Sequence, residues 1–160
     1  MCNATFRWLI QLRNGIGRKE QNDVELKRVY DFYNEVKKYH HLVENTPSEQ
    51  DRKSTKEYET KILLLWNEPF FDKFVKEIRD RTMDKEKSKE IISLLVEFYT
   101  ELWKFHKEFF EPKKEVGYAE QLQKRFEEIY IKYQQYSVFR NLIFCVLEEL
   151  ETNLKEFFKE

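Results

Sequence analysis

Residues 84–111 read DKEKSKEIISLLVEFYTELWKFHKEFFE, and this stretch decides the fold. Ile91, Leu95, Phe98, Leu102, Phe105 and Phe109 recur at alternating spacings of four and three, which places them on one side of a helix with 3.6 residues per turn. A second stripe, Ile92, Val96, Tyr99, Trp103, His106 and Phe110, runs beside the first at the same spacing. More than half of the circumference is then apolar, and such a helix needs neighbours on several sides. The pattern predicts a central helix near 84–111.

Outward from it, the same periodicity continues in both directions. Toward the C-terminus, residues 112–117 hold a Pro and a Gly and form a turn. Leu122, Phe126, Ile129, Tyr133 and Tyr136 then mark one helix, and Phe139, Ile143, Val146, Leu150, Leu154 and Phe157 mark the last. Ser137 is the junction, either a cap or part of one continuous rod. Toward the N-terminus, Asn22 with Glu25 three residues later makes a capping-box pattern. It opens a helix to about residue 44 with the stripe Val29, Tyr33, Val36, His40 and Val43, widened by Phe32 and Tyr39.

Thr46, Pro47 and Glu49 combine an N-cap, a first-turn proline and an acidic third position, so a further helix is predicted to start there. Pro69 lacks an amide hydrogen and opposes the carbonyl four residues back. That helix should therefore stop near Trp66, and a short one should restart with Asn67 as its cap, carrying Phe70, Phe71, Phe74, Val75 and Ile78. Residues 5–13 are read as a short amphipathic helix closed at Asn14 and Gly15.

No strand-like alternation or fixed repeat is present. The expected fold is all-α, a single-domain multi-helix bundle of about five to seven helices. It divides into a basic N-terminal segment over 1–19 and a helical bundle domain over 20–160. The chain has 160 residues, 41% of them hydrophobic, enough to enclose one core and too many for a disordered chain. Its three Gly and three Pro all lie between the periodic segments, as long helices require.

The formal net charge is −1, which excludes a global field drawing the chain onto DNA or an anionic membrane. The longest apolar run, 142–147, is far shorter than a bilayer span, so no membrane is expected among its partners. The two cysteines, Cys2 and Cys145, have neither disulfide-framework nor metal spacing, which points to a reducing compartment and a cytoplasmic location.

His40 and His41 are adjacent and diverge by about 100° on a helix. Neither position 37 nor position 103, three residues before His40 and His106, is acidic as a di-iron carboxylate bundle would need. His106 interrupts an aromatic stripe and is read as a hydrogen-bonded core or rim residue. Cys145, between Ile143, Phe144, Val146 and Leu147, is read as a buried, inert thiol. Glu97 and Glu101, with Lys104 and Lys107 nearby, fit a solvated face. Phosphate-loop, strained-turn serine and zinc-protease signatures are absent from the sequence. No enzyme, metal or cofactor is expected.

What remains is a surplus of aromatic side chains. The sequence points to a non-enzymatic bundle, an adaptor, inhibitor or assembly subunit, that binds another protein or itself through an exposed aromatic helix face. The candidate partner-binding residues are Trp66, Phe70, Phe71, Phe157 and Phe158. The alternative is a nucleic-acid-contacting subunit using Arg7, Arg13, Arg18 and Lys19 of the acid-free first 19 residues. To these it adds Lys132 amid the tyrosines at 130, 133 and 136.

Overall fold

A computed structural model of the protein describes residues 18–46, 52–80 and 85–159. Among the described residues there are six helices and no strand: α1 (Arg18–Glu44), α2 (Arg52–Leu65), α3 (Pro69–Arg79), α4 (Lys85–Glu108), α5 (Tyr118–Tyr133) and α6 (Ser137–Lys159). The chain is an all-α bundle. α1 packs on α2, α3 and α4, while α4 also packs on α5 and α6, and α6 returns to α3. The predicted short helix at 5–13 and the caps at 47–49 lie outside the described residues. No described helix is long and apolar enough to cross a membrane.

The first stripe of the 84–111 stretch is buried throughout, from Ile91 to Phe109. The second is not. Tyr99, His106 and Phe110 are buried, Ile92 and Trp103 are half-buried, and Val96 is 65% exposed. Val96 lies on a side of α4 that no described helix covers. The helix ends at Glu108, and Phe109 and Phe110 reach the core from the turn that follows.

Three predicted boundaries move. α1 starts at Arg18, four residues before the predicted Asn22 cap, so Asn22 lies within the helix. Thr46 closes α1, its hydroxyl donating to the Leu42 carbonyl at 2.7 Å. The residue before α3 with extended backbone (φ −79°, ψ 158°) is Glu68, with Pro69 first in the helix, so Asn67 is not the cap.

Arg28 explains that last shift. Its guanidinium donates to both carboxylate oxygens of Glu68, at 2.7 and 2.9 Å, and to the Leu65 carbonyl at 2.8 Å. Its own carbonyl accepts from Trp66 Nε1 at 3.1 Å. One residue of α1 thus fastens the whole α2–α3 corner, and a paired two-point contact of this kind is stronger than an isolated surface ion pair.

Ser137 begins α6, and the chain turns between Tyr133 and Ser137 with Tyr136 N–H donating to the Tyr133 carbonyl, so α5 and α6 are separate helices. The turn into α5 depends on Gly117 at φ +84°, a conformation other residues rarely adopt.

Candidate functional site

The predicted aromatic positions divide sharply. Trp66, Phe70 and Phe71 are in the core, not on an exposed face. The Phe32 ring lies within 6.2 Å of each of their ring centroids, and of Phe74 as well. The reason is tertiary: α3 lays its apolar side onto α1 and α6 and leaves no Phe outward. Phe157 is half-buried with the Lys114 ammonium 5.3 Å over its ring, and Phe158 is 58% exposed.

The interior holds polar chemistry that the sequence did not indicate as a unit. Tyr33 on α1 is hydrogen-bonded to His106 Nδ1 on α4 at 2.7 Å. Tyr99 on α4 is hydrogen-bonded to His40 Nδ1 on α1 at 2.8 Å. The two pairs are reciprocal and sit one heptad apart along both helices. Past His40 the chain of contacts continues, with Nε2 facing Glu44 Oε1 at 3.5 Å and Ser88 Oγ donating to Glu44 Oε2 at 3.1 Å. All of these residues are buried.

Burial raises the hydroxyls of Tyr33 and Tyr99 well above the usual tyrosine range, with the Glu44 charge adding to the effect at Tyr99. A hydroxyl that keeps its proton can donate to Nδ1, which leaves the imidazole proton on Nε2, toward Glu44 in the case of His40. His106 is a hydrogen-bonded core histidine, as its place in the stripe implies. These residues resemble the components of an acid–base relay. Both Ser88 and His40 are buried, and neither lines the two grooves described next.

Two grooves do open to solvent. One, of about 330 Å³, lies where Tyr39, Thr55, Lys56, Glu59 and Arg79 meet. Its polar centre is already satisfied, since Arg79 Nη1 donates to Glu59 at 2.7 Å and the Tyr39 hydroxyl donates to the same carboxylate at 3.3 Å. The other, of about 390 Å³, is a shallow trough beside Asp31, Asn34, Glu35 and Lys61. There the Tyr58 hydroxyl donates to Glu35 at 2.6 Å and holds that carboxyl below its usual range.

Among the described residues, no group of three His, Cys, Asp or Glu could hold a metal ion. Cys145 is buried, and burial pushes its thiol up to about 12.

Of the basic residues, Arg7 and Arg13 lie outside the described residues, Arg18 opens α1, and Lys19 is exposed. Lys132 is exposed but bridges Glu97 and Glu101 of α4 at 2.5 and 2.8 Å. Those carboxylates therefore pair across to α5 rather than with Lys104 and Lys107. Burial alone would raise the Glu101 carboxyl, but the hydrogen bond and charge of Lys132 hold it low.

The outer side of α6 is where apolar surface remains in line. Arg140, Phe144, Leu147, Glu151, Leu154 and Phe158 follow one another at spacings of four and three along the border of the buried stripe that includes Ile143, Val146 and Leu150, and Leu147 and Leu154 pack partly against the core. Phe144 is 45% exposed, Leu147 and Leu154 are half-buried, and Phe158 ends the line. Phe144 rests on Phe126 and Tyr130 of α5, with ring centroids 5.4 and 5.5 Å away, so the seam is backed by a three-ring cluster.

Exposed Leu64 on α2 makes a useful contrast. It is 77% exposed, but its helix neighbours Glu57, Thr60 and Lys61 are polar, so no stripe forms. The outer seam was readable in the sequence, since the spacing is present. It was hidden because the stronger inner stripe already accounted for most apolar residues of α6.

Comparisons with protein-family models, with curated proteins and with solved structures gave no match.

Proposed function

We propose that this chain is a non-enzymatic interaction protein, a helical bundle that binds a protein surface through the outer seam of α6. The observation that carries the reading is the exposure of Phe144 and Phe158 on a helix whose inner side is packed, with Leu147 and Leu154, half-buried against the core, on the line between them. A helix at the edge of a bundle is ordinarily polar on its outer side. A second apolar stripe costs solvation unless something covers it, and aromatic residues are enriched at the centres of such contacts.

The reading shifts the partner-binding positions from Trp66, Phe70 and Phe71 to Phe144 and its neighbours, and keeps Phe158. It stands ahead of nucleic-acid binding because Lys132, the one cation proposed from the body of the bundle, already faces two carboxylates. A reducing, cytoplasmic setting belongs to the same reading.

The test is a photo-crosslinking amino acid placed at position 144 in cells that express the protein, with position 53 on α2 as the control. A discrete adduct at 144 and none at 53 supports the reading. Equal labelling at both positions, or none at 144, overturns it.

A further inference from the structure

The charges that interrupt the outer seam say what covers it. Arg140 and Glu151 occupy the same line as Phe144 and Leu147, one at each end of that apolar pair. Neither has an ion-pair partner among the described residues: Arg140 Nη1 donates only to the Gln134 carbonyl, and Glu151 is exposed. Glu148, one turn from Phe144, is by contrast turned away from the seam and bound to Lys73 of α3.

We propose that the seam is an antiparallel interface between the α6 helices of two copies of this chain. The inference rests on the interaction reading above and names its partner. Laid antiparallel about a two-fold axis between Phe144 and Leu147, each Phe144 meets Leu147 of the second copy, and each Arg140 meets Glu151 of the second copy. The four-three-four spacing is that of helices packed side by side with their seams facing. A two-fold contact must be self-complementary, and this line is, since it carries one cation and one anion at equal distances from its apolar centre. A parallel arrangement would set Arg140 against Arg140 and Glu151 against Glu151, so the charges select the direction. The Phe126 and Tyr130 rings support Phe144 from behind and keep it from folding back onto its own helix. Leu154 lies level with Ser137 of the second copy, and Phe158 extends beyond it toward the α5–α6 turn.

Sedimentation of the full chain across a concentration series tests this, with Arg140→Glu, Glu151→Arg and Phe144→Asp beside the wild type and helicity checked by circular dichroism. The wild type should show a monomer–dimer equilibrium. Each charge reversal should raise the dissociation constant by about tenfold or more, because two like-charge contacts replace two ion pairs. Mixing Arg140→Glu with Glu151→Arg should restore a heterodimer, a rescue that general destabilisation would not give.

A wild type that stays monomeric, or a dimer that the charge reversals leave unchanged, overturns the proposal. The two readings fail separately. A monomer whose position 144 crosslinks to a different protein removes only the second copy as partner, whereas a monomer with no adduct at 144 removes both.

Discussion

The seam between α1 and α4 and the outer seam of α6 are built from the same kinds of residue at the same spacing, yet one is sealed and the other faces water. Across α1 and α4, Tyr33, Val36 and His40 meet Tyr99, Leu102 and His106, all buried, with polar groups bonded to one another. On α6, Phe144 is 45% exposed and Leu147 is half-buried, and the polar groups in line, Arg140 and Glu151, have no ionic partner within the described residues. An aromatic stripe therefore does not by itself mark a core. What marks a core is that its polar interruptions have been answered from the opposing helix. On α1 and α4 each histidine has its tyrosine, and on α6 the proposed second copy would supply the answering charges.

The largest effect should come from emptying the sealed side. Phe98 is fully buried and stacks on Phe139 at 4.0 Å between centroids. Phe98→Ala should cost about 3–5 kcal/mol of stability in urea denaturation, from lost burial and the cavity left behind. A cost as small as that of a surface change would show that the seam between α4 and α6 is not sealed.

Next comes the hydrogen-bond chemistry between α1 and α4. Tyr99→Phe removes the hydroxyl bonded to His40 Nδ1 and should destabilise by about 1–3 kcal/mol, since a buried acceptor loses its donor. Tyr33→Phe should act similarly through His106. If both changes are neutral, the two pairs are incidental to the register of α1 against α4.

High pH tests the sealed side as a whole. Burial is the leading cause that raises the hydroxyls of Tyr33, Tyr39, Tyr99 and Tyr133 in the folded protein. In the unfolded chain these groups release protons near pH 10, so the native state holds more protons there and stability falls as pH rises through that range. Tyrosinate absorbance from these residues should emerge together with loss of helicity above about pH 10. Smooth ionisation of all tyrosines with helicity intact would contradict their burial.

The smallest stability change should be on the open side. Phe144→Ser is expected to cost about 1 kcal/mol of unfolding free energy, from its ring contacts with Phe126 and Tyr130, while shifting the chain toward monomer. A change as large as that at Phe98 would mean that Phe144 belongs to the core.

Much of this was legible in the chain. The stripes from Val29 to Val43, Ile91 to Phe109, Leu122 to Tyr136 and Phe139 to Leu150 all face inward, apart from the partial burial of Val43. Pro69 and Gly117 punctuate the chain as their backbone limits require. The cap at Glu68 was not legible, because it depends on Arg28, forty residues away in the chain. Nor was the core placement of Trp66, Phe70 and Phe71, since a short helix with aromatics on it reads the same whether or not another helix lies against them. The pairing of His40 with Tyr99 and of His106 with Tyr33 needed the antiparallel register of α1 on α4, which no local pattern encodes.

The sequence by itself determined that the chain is helical, where most helices run, and which residues share a face, because helix periodicity is set by bonds between residues four apart. Only the tertiary structure decided which of two apolar faces on α6 is covered and which stays open, because coverage depends on where helices distant in sequence come to lie.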